Sequence, residues 1–154
     1  MAAAHYVFVA GDIYADDRLV SAREILTALL QRNIWLIWDR TPYQRDYRPG
    51  DRVLFYLARS GKCQFVGAAE LAGEPEPATD DEIAMAESLG LIGYDRKLEL
   101  RNVQQFPDGI PIRPLISDLA FIKNKHWWGH SFRQGALRIP QQDFVRVLRE
   151  RDQA

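Results

Sequence analysis

Two long apolar runs stand either side of a short polar turn in the middle of the chain, and they narrow the possible folds more than any other feature. Pro49-Gly50-Asp51 turns the chain into Arg52-Val53-Leu54-Phe55-Tyr56-Leu57, and Arg59-Ser60-Gly61-Lys62 returns it through Cys63-Gln64-Phe65-Val66-Gly67-Ala68-Ala69-Glu70-Leu71. Branched and aromatic side chains suit a pleated surface, while Gly, Pro and Asp supply the turns, so this reads as a buried hairpin. Three small residues in mid-strand, Gly67, Ala68 and Ala69, leave room for another backbone, a ligand or a crossing strand, as at the corners of small barrels.

The other elements place a sheet and helices around that hairpin. Tyr6-Val7-Phe8-Val9-Ala10 is a short buried strand entering a loop at Gly11-Asp12. Ser21 and Glu24 have the spacing of a capping box, and Ile25, Leu26, Leu29 and Leu30 then recur on one helical face up to Asn33. Ile34-Trp35-Leu36-Ile37-Trp38 follows as a second buried strand. Its two tryptophans are three apart, so in a regular strand they face opposite sides, one toward a pocket and one into the core. Thr79 and Glu82 cap a helix reaching about Leu89, Lys97 to Val103 alternates as a half-exposed strand, and Phe106-Pro107-Asp108-Gly109 carries a turn signal. Ile110 to Ile116 is extended, Ala136-Leu137-Arg138-Ile139 is a last strand, and Pro140 opens a closing helix with Phe144, Val147 and Leu148. The reading is one domain over residues 1–154, since 154 residues with 47% hydrophobic content bury a single core without staples.

Charge and cysteine content limit the functions such a domain can have. With 20 Lys and Arg against 21 Asp and Glu, the formal net charge is −1. Binding that coats nucleic acid without preference comes from many phosphate contacts, so here any binding must come from a local patch and a specific pocket. Cys63 is the single cysteine, which excludes an internal disulfide and points to a reducing, cytoplasmic setting. The apolar run at Tyr6 is too short for a signal peptide or a membrane span and has no basic leader. A glycine-rich phosphate loop, a nucleophile elbow and carboxylates paired beside an apolar pocket are all missing from the sequence. His126 and His130, four apart, supply at most half a metal site. A non-enzymatic protein that needs no metal and no cofactor is therefore expected.

What remains is aromatic surface beside cations. The stretch from Phe121 to Gly135 crowds Lys123, Asn124, Lys125 and Arg133 around adjacent Trp127 and Trp128. Indole faces stack on flat rings, while cations and amides grip phosphates or base edges. Neighbouring tryptophans point in different directions, so one of the pair is expected in a pocket and the other inward; both as core anchors is the plainer alternative. Between Asp39 and Pro49, Arg40, Arg45 and Arg48 interleave with Tyr43 and Tyr47, the make-up of a basic, aromatic rim or of a loop with snorkelling side chains. Asp12 either accepts a hydrogen bond from a ligand N–H or is an ordinary turn aspartate.

These residues also carry a family resemblance. Pro111-Ile112-Arg113-Pro114-Leu115-Ile116, followed by Phe121-Ile122-Lys123-Asn124-Lys125, Trp128-Gly129, Phe132-Arg133 and Gly135, resembles the C-terminal signature of EVE domains, in a group described as uncharacterised and RNA-binding by inference. Pro49-Gly50-Asp51 before Val53-Leu54-Phe55-Tyr56, and Phe65 to Glu70, are similar to the way those domains place their central hairpin. The resemblance spans nearly the whole chain. It implies a PUA-like α+β pseudo-barrel related to YTH domains, with a strongly bent mixed sheet flanked by helices. YTH domains read methyladenine through an aromatic cage, and EVE domains are thought to read modified bases, several of them fused to restriction nucleases. The implied function is a non-enzymatic reader that takes a modified base of DNA or RNA into an aromatic cage. By position, Trp35 resembles the YTH cage tryptophan and Asp12 the polar base-contacting residue. Trp128 and Trp38 complete the expected cage, and Arg40, Arg45, Lys123, Lys125 and Arg133 are expected to hold the adjoining backbone. A separate nuclease or modification system is the protein partner this implies. The alternative is a nucleoside-binding or small-metabolite-binding protein or enzyme using the same pocket, with His130 or Asp12 as proton carrier. The reader expectation requires Trp35 and Trp128 to converge on one hollow.

Overall fold

The computed structural model describes residues 2–152. In chain order its strands are β1 (His5–Ala10), β2 (Ile13–Ala15), β3 (Arg18–Val20), β4 (Ile34–Ile37), β5 (Arg52–Leu57), β6 (Gln64–Leu71), β7 (Glu76–Pro77), β8 (Arg96–Pro111) and β9 (Ala136–Ile139), and its helices are α1 (Ala22–Gln31), α2 (Asp80–Ser88) and α3 (Gln141–Asp152). One mixed sheet runs in the order β4-β8-β6-β5-β1-β9, with β7 beside β8. Strands β1 and β5 are parallel, and the other pairings in the sheet are antiparallel.

The unbroken apolar runs of β1 and β5 follow from burial on both faces of this sheet. Tyr6, Phe8, Val53, Phe55 and Leu57 pack on one side with α1 and β4, while Val7, Leu54 and Tyr56 pack on the other with Phe144 and Val147 of α3. Bulges bend the sheet between these two halves of the core. Phe65 pairs with Ile110 and Gly67 with Gln105, so residues 106–109 of β8 lie opposite Val66 alone. The turn signal at Phe106-Pro107-Asp108-Gly109 is thus realised as a bulge within one long strand, not as a reversal. The extra residues have nothing to pair with, and they bend and twist the strand that carries them. Close by, a Cβ built on Gly67 would lie 2.7 Å from the Gln104 carbonyl oxygen, so the backbone of the paired strand β8 approaches to a distance only a glycine allows.

Helix caps and charge clamps fix the elements around the sheet. Ser21 Oγ accepts from the Glu24 N–H at 3.1 Å, but the Glu24 carboxylate turns to Arg18 at 3.0 Å, so only half of the capping box forms. Thr79 and Glu82 form both halves of theirs. Lys97, at the start of the strand read as half-exposed, is buried, with Nζ 2.9 Å from both Glu82 and Glu99. Hydrogen bonds to Glu99 and Glu82 raise its pKa despite burial. On Glu82 burial pushes the other way, but the Thr79 backbone and Lys97 outweigh it and lower the pKa. This clamp ties α2 to β8 and holds the connection between them.

Other local features depart from the sequence reading as well: the stretch read as extended from Ile110 to Ile116 leaves β8 at Pro111 and makes a 3-10 turn over Arg113–Leu115. Residues 13–20 form the β2–β3 hairpin, whose three-residue strands are too short to show alternation; Asp16 takes φ 55° in its turn. Ile13 and Ala15 pack inward against the core and against Gly90. Tyr47, read as part of an exposed rim, is fully buried, with its ring 4.8 Å from Tyr6 and its hydroxyl donating to the Pro42 carbonyl at 2.8 Å. Apolar burial of the ring, with one local acceptor for the hydroxyl, outcompetes exposure of that side chain.

Candidate nucleic-acid interface

The end of β1 divides two adjoining hollows. Val9, Gly11, Asp12 and Gly135 line both, and the Val9 N–H donates to the Gly135 carbonyl at 2.9 Å, which seals β1 against the C-terminal segment. On the α1 side is a recess of 240 Å³ whose aromatic walls are Trp35, Trp38 and Tyr94, with Leu91, Ile25 and Leu29 at its base and Thr41 at its edge. On the other side is a cleft of 1210 Å³ between the β2–β3 hairpin and residues 126–135.

The recess is built from the core outward. Trp35 is only 7% exposed, stacked on Phe8 at 5.4 Å and 21°, with Phe55 also 5.4 Å away. Its wall is therefore rigid. Trp38 lies just past the end of β4, where strand alternation no longer applies. It faces the same recess as Trp35, instead of the opposite side as a regular strand requires. A turn holds it there: its N–H donates to Thr41 Oγ1 at 3.0 Å, and its carbonyl accepts from Gln44 Nε2 at 2.7 Å. Tyr94 arrives from the α2–β8 connection, its ring 6.3 Å from Trp38. Burial raises the pKa of its hydroxyl, which therefore stays protonated. Asp12 closes the mouth and caps α1, with Oδ1 accepting from the Ala22 N–H at 2.7 Å.

The predicted site residues separate into three groups. Trp35, Trp38 and Asp12 meet at the recess. Trp128 and Arg133 line the cleft instead, along with Trp127, His126 and His130. Trp128 packs on the second half of the core beneath Arg113, whose guanidinium lies 5.6 Å from its ring centre. Trp35 and Trp128 thus face neighbouring hollows across the β1 wall, and the expected single cage between them does not form. Arg40, Arg45 and Lys123 are exposed but line neither hollow. Lys125 is tied back, its Nζ donating to the Leu119 carbonyl at 2.6 Å.

Several lining residues escape the sequence reading, among them Tyr14 and Leu19 of the β2–β3 hairpin, Tyr94 and Arg59. Tyr94 sits in a Gly-rich connection with no periodic pattern around it. Arg59 lines the cleft from the hairpin turn, where its sequence context signals only a turn. Cys63 also lines the cleft, beside the deeply buried Tyr56. Among the described residues, no group of three His, Cys, Asp or Glu side chains is placed to hold a metal ion.

Comparison with known proteins decides the family. Residues 26–150 match the EVE domain. The chain belongs to the EVE domain family. A UPF0310 protein from the gntR 5′ region of Bacillus licheniformis is 38% identical to this EVE domain over 134 residues, 87% of this chain and 88% of the relative. A UPF0310 protein of Mycolicibacterium vanbaalenii is 54% identical over 114 residues, 68% of this chain and 69% of the relative. Among solved structures, human THYN1 in complex with 5-methylcytosine-containing DNA superposes with a TM-score of 0.65 at 14% identity, over 97% of this chain and 98% of that one. The YTH domain of Zygosaccharomyces rouxii MRB1 in complex with N6-methyladenosine RNA gives 0.56 at 14% identity, over 96% and 86%. At such identities the likeness concerns the fold, which is the PUA-like pseudo-barrel with its bent mixed sheet.

Proposed function

We propose that this EVE domain is a non-enzymatic nucleic-acid reader that takes one modified base into the Trp35, Trp38 and Tyr94 recess and holds the adjoining strand along the cleft. The recess carries this reading. At 240 Å³ it is smaller than the roughly 300–1,000 Å³ of sites for drug-sized ligands, and three aromatic rings wall it, as a single flat ring with a methyl group requires. Each stacked base contributes about 1–3 kcal/mol, which offsets the few kcal/mol needed to flip a base out of its stack. Asp12, which lines both hollows and is held on α1 by the Ala22 N–H, fixes the wall they share, while Arg133 and Arg59 line the cleft where phosphates would lie. Arg40, Arg45 and Lys123, exposed outside both hollows, would meet phosphates farther along the strand, and Lys125 is tied to the Leu119 carbonyl in the loop that carries Lys123. The complexes of THYN1 with 5-methylcytosine DNA and of the YTH domain with N6-methyladenosine RNA, on the same fold, support the assignment. A nuclease or modification enzyme is the kind of partner a reader of this sort would direct.

The test is fluorescence anisotropy with short strands carrying 5-methylcytosine in DNA or N6-methyladenosine in RNA, each against its unmodified match. Wild type is expected to prefer one modified strand, and Trp38→Ala and Tyr94→Ala to erase that preference. Trp35→Ala is the wrong probe, because the ring is part of the core. Equal affinity of wild type for every strand refutes the reading.

A further inference from the structure

The β2–β3 hairpin presents an apolar face that the fold itself does not use. Its inner residues, Ile13 and Ala15, dock on the core, and Val20 beside them is fully buried. Alternation then turns Tyr14 and its cross-strand partner Leu19 outward, at 81% and 47% exposure. Both line the 1210 Å³ cleft. Across from them Trp127 also lines it, 67% exposed, on a turn where Asn124 Oδ1 accepts from the His126 and Trp127 N–H groups at 3.1 and 3.0 Å. The His126 ring braces the indole edge-on, 4.9 Å away. Two docked, ordered elements thus hold large apolar rings in water on either side of one cleft, an arrangement that costs solvation unless a ligand covers it.

We infer that this cleft is a second, sequence-tolerant stacking site, in which Tyr14 with Leu19 and Trp127 take the base of the nucleotide next to the one in the recess. The inference rests on the reading that the recess holds a base, because the two hollows share Val9, Gly11, Asp12 and Gly135 and so lie within one strand's path. Charge agrees with a nucleic-acid strand as occupant. The cleft is lined by Arg59 and Arg133 with His126 and His130, and its one acidic lining residue among those described, Asp12, caps α1. Every base has a flat face, so stacking here adds affinity without reading identity. The domain should accordingly favour a single strand, or a strand pulled from a duplex, over an isolated nucleoside.

Tyr14→Ala, Trp127→Ala and Trp38→Ala are compared on modified and unmodified strands of equal length, with thermal unfolding to confirm that each variant folds. The first two are expected to weaken both strands about 5-fold to 150-fold, the loss of one base stack, by the same factor, so that the modified-to-unmodified ratio is retained. Trp38→Ala is expected to collapse that ratio. Unchanged strand affinity in both Tyr14→Ala and Trp127→Ala overturns the second site. So does a lost ratio with unmodified binding intact, which would put Trp127 in the cage itself. A wild type that does not discriminate, but whose binding still falls in the cleft variants, overturns the recess reading and leaves the cleft standing. Absence of strand binding by wild type overturns both.

Discussion

Asp143 fastens the wall of the cleft to the last helix, and its replacement by Asn measures that tether. The side chain is buried, with Oδ1 accepting from the Ala120 N–H at 3.0 Å and Oδ2 from the Phe121 N–H at 2.8 Å. Residues 113–135, which carry Trp127, Trp128 and Arg133, are pinned to α3 at this point. In Asp143→Asn one oxygen remains as an acceptor, while an NH2 group replaces the other and faces an N–H donor. Hydrogen bonds to a charged group contribute about 1.5–3 kcal/mol, and an unsatisfied buried donor costs about 1–3 kcal/mol. Phe121 is only half-buried, so water relieves part of that penalty, and the expected loss is about 2–3 kcal/mol. Against a typical domain stability of about 5–15 kcal/mol the variant still folds. Urea unfolding measures the loss, and amide hydrogen exchange should show lost protection at Ala120 and Phe121 ahead of the β1–β5 core. A loss below about 0.5 kcal/mol, the range of ordinary surface changes, or unchanged protection of those two amides, would refute the tether.

Two further outcomes concern the core and pH. Trp35→Ala should cost about 3–5 kcal/mol, the usual range for removing a buried aromatic, because it strips the ring stacked on Phe8 and Phe55; a thermal midpoint close to wild type would show that the ring serves the recess alone. His5 is buried, and burial, followed by the Arg52 charge, lowers its pKa below 6.5 against a smaller opposing effect of Asp51. The folded protein therefore keeps His5 neutral where the unfolded chain takes a proton. Its penalty is absent above the unfolded value of about 6.5, and stability falls as pH drops below that value toward the lowered folded pKa. Urea midpoints from about pH 8 down to about pH 5.5 should decline in wild type and decline less in His5→Asn; parallel curves would remove His5 as the cause.

How far the sequence reaches depends on how local the relevant physics is. The runs at β1 and β5 are readable because strands buried on both faces need apolar residues at every position. Gly67 announces the close approach of the β8 backbone because the lack of a Cβ is itself the signal. Thr79 and Glu82 declare the start of α2 because a capping box closes within four residues. The β2–β3 hairpin gives no such signal, since three residues per strand show no period. The 106–109 bulge looks like a turn in the sequence because Pro-Asp-Gly chemistry fits either a reversal or an unpaired excursion, and only β6 alongside determines which.

The interface divides in the same way. Aromatic side chains beside cations in a chain of balanced net charge, and the family signature near its C-terminal end, are written in residue order alone. That Trp38 shares a recess with Trp35 and Tyr94, while Trp128 lies beyond the β1 wall, is not. Trp38 and Tyr94 meet because β4 pairs antiparallel with β8, with Trp35 opposite Leu98, and because a turn at Thr41 swings Trp38 off the strand's alternation. Local periodicity records which side of its own element a residue buries, whereas the register between strands distant in the chain is set by packing of the whole core.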